Sequence, residues 1–91
     1  MNAMIIDEKD NVAVVIDSIQ KGTAVIFKAA GEIKEVQAKE DITIYHKMAI
    51  RSIRKGEAIV KYGEHIGIAA CDIEAGEHVH VHNVESHRED L

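Results

Sequence analysis

The sequence predicts an all-β fold built from short, sharply bent strands. Three observations carry this reading. A corner phrase recurs: Ile19-Gln-Lys-Gly22-Thr-Ala-Val25, Ile53-Arg-Lys-Gly56-Glu-Ala-Ile59 and Ile73-Glu-Ala-Gly76-Glu-His-Val79 share the same order of apolar residue, glycine and apolar residue. Short β-prone runs lie between the corners, bounded by Gly, Lys, Glu and Asp. No apolar stripe of helical period runs for a useful length.

The corner phrase has a physical meaning. Its first apolar residue plugs the core, glycine supplies a backbone conformation costly to other residues, and the last apolar residue starts the next strand. A fourth copy, Ile42-Thr-Ile-Tyr45-His-Lys-Met48, puts tyrosine in the glycine place, which predicts strain at Tyr45 or a different turn. The copies start at residues 19, 42, 53 and 73, too unevenly for a stacked solenoid.

In chain order, strands are expected at Val12–Ile16, Ala24–Phe27, Met48–Ile50, Ala58–Val60, Ile66–Ala70 and His78–Val84. Gly31–Glu40 reads as strand or loop in preference to a short helix through Glu35–Lys39; as a strand it would turn Ile33 inward. Asp10 and Asn11 suit the turn that starts a strand. Tyr62 reads as a plug in the core or an interface, and Cys71, after Ala69 and Ala70, as a buried packing residue. His65 and His87 read as surface residues. The charge runs at Lys34–Asp41 and Arg51–Lys55 suit solvated strand edges. One domain, residues 1–84, would end in a polar tail, 85–91.

Composition excludes several function classes. The chain has 91 residues, 46% hydrophobic and 30% charged, enough for one modest core. It has no Trp, one Phe and two Tyr, so that core must be aliphatic. A net charge of −5 and the scarcity of aromatic platforms argue against nucleic acid. No apolar run approaches a membrane span. The opening residues lack the basic and apolar regions of a signal peptide, so a cytoplasmic location is the expectation. A lone cysteine excludes an internal disulfide and a thiolate zinc cluster. No serine–histidine–acid set or glycine-rich phosphate loop stands out.

The C-terminal alternation is the feature that suggests chemistry. His78, His80 and His82 alternate with Val79 and Val81. In a strand, the imidazoles would share one face and the valines the other. Neutral imidazole ligates iron, zinc and related metals. The outer two histidines of a straight strand would stand roughly 13 Å apart, at ~3.3 Å per residue. Two neighbours plus a group from elsewhere therefore suit one ion better than all three. The competing reading is a polar strand face at an edge or a subunit contact.

Asp10-Asn-Val-Ala-Val14, His46-Lys-Met-Ala49 with Lys61-Tyr-Gly-Glu-His-Ile-Gly67, and Gly76-Glu-His-Val-His-Val-His-Asn83 follow in an order and spacing that resembles the SAF domain. The version is the one carried by the altronate and galactarate dehydratase family, as an N-terminal domain or separate small subunit. The small subunit of sulfolactate sulfo-lyase is of the same kind. The resemblance covers about Asp7 to Asn83. It implies a β-clip fold and a larger lyase subunit as partner. It also implies a sugar-acid or sulfolactate substrate and a divalent metal, Fe2+ or Mn2+. Site residues follow from the matched motifs: His46 and Lys61 as catalytic groups, His80 and His82 as metal ligands, Lys47 and Asn83 as substrate contacts. Asn83 also suits a purely structural turn. The chain departs from the family where Asp7 replaces a common histidine, where Thr43-Ile-Tyr45 replaces a Pro-x-Gly turn, and at His65. Two other classes compete with the lyase reading: a module that binds a metal or acidic sugar without catalysis, and a domain that only holds a homo-oligomer together.

Overall fold

The computed structural model describes residues 1–85, and among them there is no helix. Nine short strands form three antiparallel sheets: β1 (Ala3–Met4), β2 (Val12–Val15), β3 (Ala24–Ala29), β4 (Glu32–Gln37), β5 (Lys47–Ala49), β6 (Ala58–Lys61), β7 (Glu64–Ala69), β8 (His78–Val79) and β9 (Val84–Glu85). The sheet orders are β1-β2-β5-β8, β3-β4 and β6-β7-β9. The all-β expectation holds. Strand β1 was not anticipated, and the tail beyond Glu85, with His87, lies outside the described residues.

The corner phrases organise this architecture. Each forms a four-residue turn closed by a backbone hydrogen bond, with Thr23, His46, Glu57 and Glu77 donating to Gln20, Thr43, Arg54 and Glu74. The third residue of each turn has positive φ: Gly22 (92°), Tyr45 (70°), Gly56 (89°) and Gly76 (94°). This is the type II geometry that glycine favours. Tyr45 thus keeps the same turn and accepts the strained backbone, with its ring 70% exposed.

The corners pair two by two. Ile19 bridges Ile42 and Ile53 bridges Ile73, and each bridge exchanges two backbone hydrogen bonds. The side chains of Asp41 and Asp72 accept from the amides of Lys21 and Lys55, each at 2.8 Å. The chain therefore makes two excursions from the four-stranded sheet, each a corner, a hairpin and a corner. It leaves after β2 and returns at β5, then leaves again and returns at β8. Unequal hairpins explain the unequal spacing of the phrases: β3-β4 closes at Ala30-Gly31 and β6-β7 at Tyr62-Gly63. Both tips have positive φ at both residues, as two-residue hairpin turns require. One asparagine clamps the base of each hairpin. The side chain of Asn2 bonds the backbone of Ala24 and Ile26, and that of Asn11 bonds Ala58 and Val60.

Each excursion covers its own core. The first holds Val25, Phe27, Ile42 and Met48; the second holds Ile53, Ile59, Ile73 and Val79. Strands β2 and β5 form the wall between them. Ala13 and Met48 are paired and face the first core, whereas Val12 and Ala49 are paired and face the second. This follows from the two-residue period of a strand. Each fully buried Val, Ile, Phe or Met stabilises by roughly 1.5–3 kcal/mol.

Four expectations are corrected. Ile33 does not turn inward; it is 62% exposed, because β4 lies outside the body of the fold with all but Val36 in solvent. Cys71 is exposed, since it falls in the link between β7 and the bridge at Ile73. Tyr62 is not a core plug; it is exposed because the chain reverses there, at a hairpin tip, which leaves the interface alternative open. The His78–Val84 run is not one strand: β8 stops at Val79, and Val81 is 81% exposed instead of facing the core.

Candidate functional site

Two corners deliver the histidines. His46 ends the corner that leads into β5, and His78 follows the corner that leads into β8. These strands pair, with Met48 opposite His78 and Lys47 opposite Val79. His46 Nδ1 and His78 Nε2 lie 2.9 Å apart, so one ring donates and the other accepts. The backbone amide of His78 donates to the Glu40 carboxylate at 3.0 Å.

His80 joins them because the register that pairs Lys47 with Val79 carries it opposite His46, and the strand ends there. A backbone hydrogen bond from Asn83 to His80 closes a turn over Val81 and His82. Asn83 is buried, and its side chain also accepts from the His80 amide at 3.0 Å and donates to the His78 carbonyl at 2.9 Å. Its own carbonyl accepts from Ala70. The turn stacks the His80 ring on His46, with centroids 4.0 Å apart. The ligand nitrogens of His46, His78 and His80 all lie within 4.8 Å of one another. His82, at the turn, tilts against His78 at 5.2 Å and is not among those three.

This set fits a divalent metal. Two nitrogens on one ion at ~2.1 Å sit at most ~4.2 Å apart, so small ring movements would bring all three into range. The Nδ1 atom of His80 is buried without a hydrogen-bond partner. Such a nitrogen costs about 1–3 kcal/mol unless something ligates or bonds it. Burial, then the His46, His82 and His80 rings, hold the His78 pKa below its usual value, against Glu40. Burial, His46, Lys47 and His82 do the same for His80. Both shifts favour the neutral ring, the form that ligates.

Lysines flank the imidazoles. Lys47 is half-buried, and burial followed by the charge of Lys61 holds its ammonium below the usual lysine range. Neither lysine has a carboxylate partner among the described residues. Lys61 lies 5.2 Å from the centroid of the Tyr62 ring. Lys47 and His80 line a groove of about 370 Å³ with Ile66, Val81, Val84 and Glu85. The Lys61 hairpin is anchored by Asp10, whose buried carboxylate accepts from Gly63 at 2.7 Å and from Ile6 and Asp7.

The structure thus brings His46, Lys47 and His80 together, with Lys61 near Lys47. It leaves His82 beside the cluster and engages both polar ends of the Asn83 side chain with backbone. His78 is the member that the motif-based assignment left out. Its signal was the His78-x-His80 spacing, but the partner His46 lies across the sheet.

Fold and site together define a small β module, without helix among its described residues, that gathers imidazoles at the β5–β8 edge of one sheet and sets lysines beside them. The sequence profile of the altronate/galactarate dehydratase SAF domain matches residues 1–87, and the chain belongs to that family. It is 42% identical to the altronate dehydratase of Bacillus subtilis (strain 168) over 86 residues, 94% of this chain and 16% of that protein. The altronate dehydratase of Escherichia coli (strain K12) is 40% identical over 90% of this chain and 16% of its own length. The (2R)-sulfolactate sulfo-lyase subunit alpha of Chromohalobacter salexigens is 36% identical, with 82% of each chain covered. The chain therefore spans about a sixth of the altronate dehydratases it matches. No helix among the described residues is long and apolar enough to cross a membrane.

Proposed function

We propose that this chain is the SAF component of a cytoplasmic carbon–oxygen lyase that dehydrates a sugar acid, and that it works with a larger catalytic chain. The observation that carries the reading is the gathering of His46, His78 and His80 beside Lys47, in a member of a dehydratase SAF family. The groove is open to solvent between Lys47 of one sheet and Ile66, Val84 and Glu85 of another, which supports a site completed by another chain.

In this reading His46, His78 and His80 would hold a divalent ion, Fe2+ or Mn2+. When bound, the ion supplies Lewis-acid stabilisation of negative charge on the substrate carboxylate and the carbon beside it. Lys47 and Lys61 attract and orient that carboxylate, since neither ammonium has a carboxylate partner among the described residues. Asn83 shapes the turn and does not touch substrate.

A second reading is a sulfolactate sulfo-lyase subunit, which the alpha-subunit relatives favour. The same lysines would then orient a substrate that loses sulfite. The test is to express the tagged chain in its native cell, purify it at high salt and assay any stoichiometric larger chain that co-elutes. Elimination of water from altronate or galactarate, dependent on both chains, supports the first reading, and sulfite release from sulfolactate supports the second. Recovery of the 91-residue chain alone overturns both.

A further inference from the structure

We infer that Asn83 is a positioning residue that makes the three imidazoles a divalent-metal site in this chain by itself, without the larger partner. The inference rests on the metal assignment above and extends it to the free chain.

The argument is geometric. His78 and His80 stand at alternate positions, which share one face of a strand, and the register that pairs Lys47 with Val79 carries His80 opposite His46. Asn83 fixes that arrangement at the point where the strand stops. Its amide oxygen takes the His80 N–H, its amide nitrogen gives to the His78 carbonyl, and its backbone N–H gives to the His80 carbonyl. The two residues that carry the rings are thus tied to one buried side chain. That chain is fixed in turn, because the Asn83 carbonyl accepts from Ala70 at the end of the second hairpin. The result is a ring stack of His46, His78 and His80 with planes within 19° of one another. All of its ligands come from residues 46–80, so the partner need not contribute one for binding to occur. His82 lies on the exposed side of the same turn, tilted against His78, and is not one of the three ligands.

The test uses the full chain alone and Co2+ as the probe, followed by titration calorimetry and by the visible absorption of imidazole-ligated cobalt. The wild type is expected to bind one Co2+, His82→Ala to bind with the same affinity, and His80→Ala to show no saturable binding. Asn83→Ala is expected to bind about 10–100-fold more weakly, the usual loss when a group that orients ligands is removed. Asn83→Asp keeps the acceptor for the His80 amide and loses the donor to His78, so it should fall between the two and reports if Asn83→Ala does not fold. Urea unfolding of the metal-free variants separates positioning from stability. A residue that only stabilised the turn would lower the urea midpoint and leave the Co2+ affinity of the folded protein unchanged. That result would overturn the inference, as would a wild-type chain that binds no Co2+ or a His82→Ala variant that loses it. Because no partner is present, such a failure leaves the two-chain lyase reading standing.

Discussion

Gly76 and Gly22 occupy equivalent corners, yet alanine at the two positions should differ sharply. At Gly22 and Gly56 an added Cβ meets nothing within 4 Å, so only the positive φ opposes it. That conformation costs about 1–2 kcal/mol for a residue with a Cβ. Roughly 0.5–1 kcal/mol is recovered because alanine stiffens the unfolded chain. A net loss of about 1 kcal/mol follows. At Gly76 the same Cβ would land on the backbone carbonyl of Gln37, inside contact distance, with the Lys39 amide nitrogen at 3.3 Å. Both are backbone atoms and neither can swing aside. Overpacking adds about 1–3 kcal/mol, for a total near 2–4 kcal/mol. With a urea m-value of about 1 kcal/mol/M, Gly22→Ala and Gly56→Ala should each lower the midpoint by about 1 M, and Gly76→Ala by about 2–4 M. Tyr45→Gly supplies the control. It relieves the strain at φ 70° and gives up a ring that is 70% exposed, so it should leave stability level or raised by about 1 kcal/mol. Equal losses at Gly22 and Gly76 would refute the close approach of the Gln37 carbonyl. A large loss at Tyr45→Gly would refute the account of its strain.

Other expectations follow from the same residues. Asp10→Ala leaves the amides of Gly63, Ile6 and Asp7 without their carboxylate; hydrogen bonds to charge are worth about 1.5–3 kcal/mol each and are not additive, so a loss of about 3–5 kcal/mol is expected in urea unfolding. Lys47→Ala in the two-chain enzyme should raise KM for the acid by about 10–100-fold, equivalent to one charged hydrogen bond, while Lys47→Arg recovers part of it. Acid should destabilise the metal-free chain through His78 and His80, whose pKa values are lowered in the fold. The unfolded chain takes up protons first as pH falls through the ordinary histidine value of about 6.5. The stabilisation is therefore present above that value and is lost as pH falls through the folded values. Urea midpoints measured from pH 8 to 5 should drop over this range, and a double His78→Gln, His80→Gln variant should lose the dependence. Asp10 adds a second loss in stronger acid. Its burial opposes ionisation, but the amides of Gly63, Ile6, Asp7 and Tyr62 outweigh it and hold its pKa low.

Much of the fold was legible because its information is local. An apolar–glycine–apolar phrase specifies a type II corner from a few residues, and the strands between corners are short and β-branched. Even Tyr45 could be marked as anomalous, since glycine stood in the equivalent place in the other three copies. What escaped were features fixed by distant partners. The pairing of Ile19 with Ile42 and Ile53 with Ile73 decides where the chain returns to the sheet, and no local pattern states it. The same holds for the site. The alternation of His78, His80 and His82 suggested one strand, and it was Asn83, reaching back to two backbone positions, that broke it. His46 could be nominated from its motif, but its place against His78 depends on the pairing of β5 with β8.

The wall of β2 and β5 has a further consequence. His46 stands where the first excursion comes home, and His78 and His80 stand where the second does. An ion held between them would act as a staple across the loop from residue 46 to residue 78, which contains all of the second core but Val12 and Val79. In chain-entropy terms, a cross-link over a loop of that length restricts the unfolded chain by about 3–4 kcal/mol.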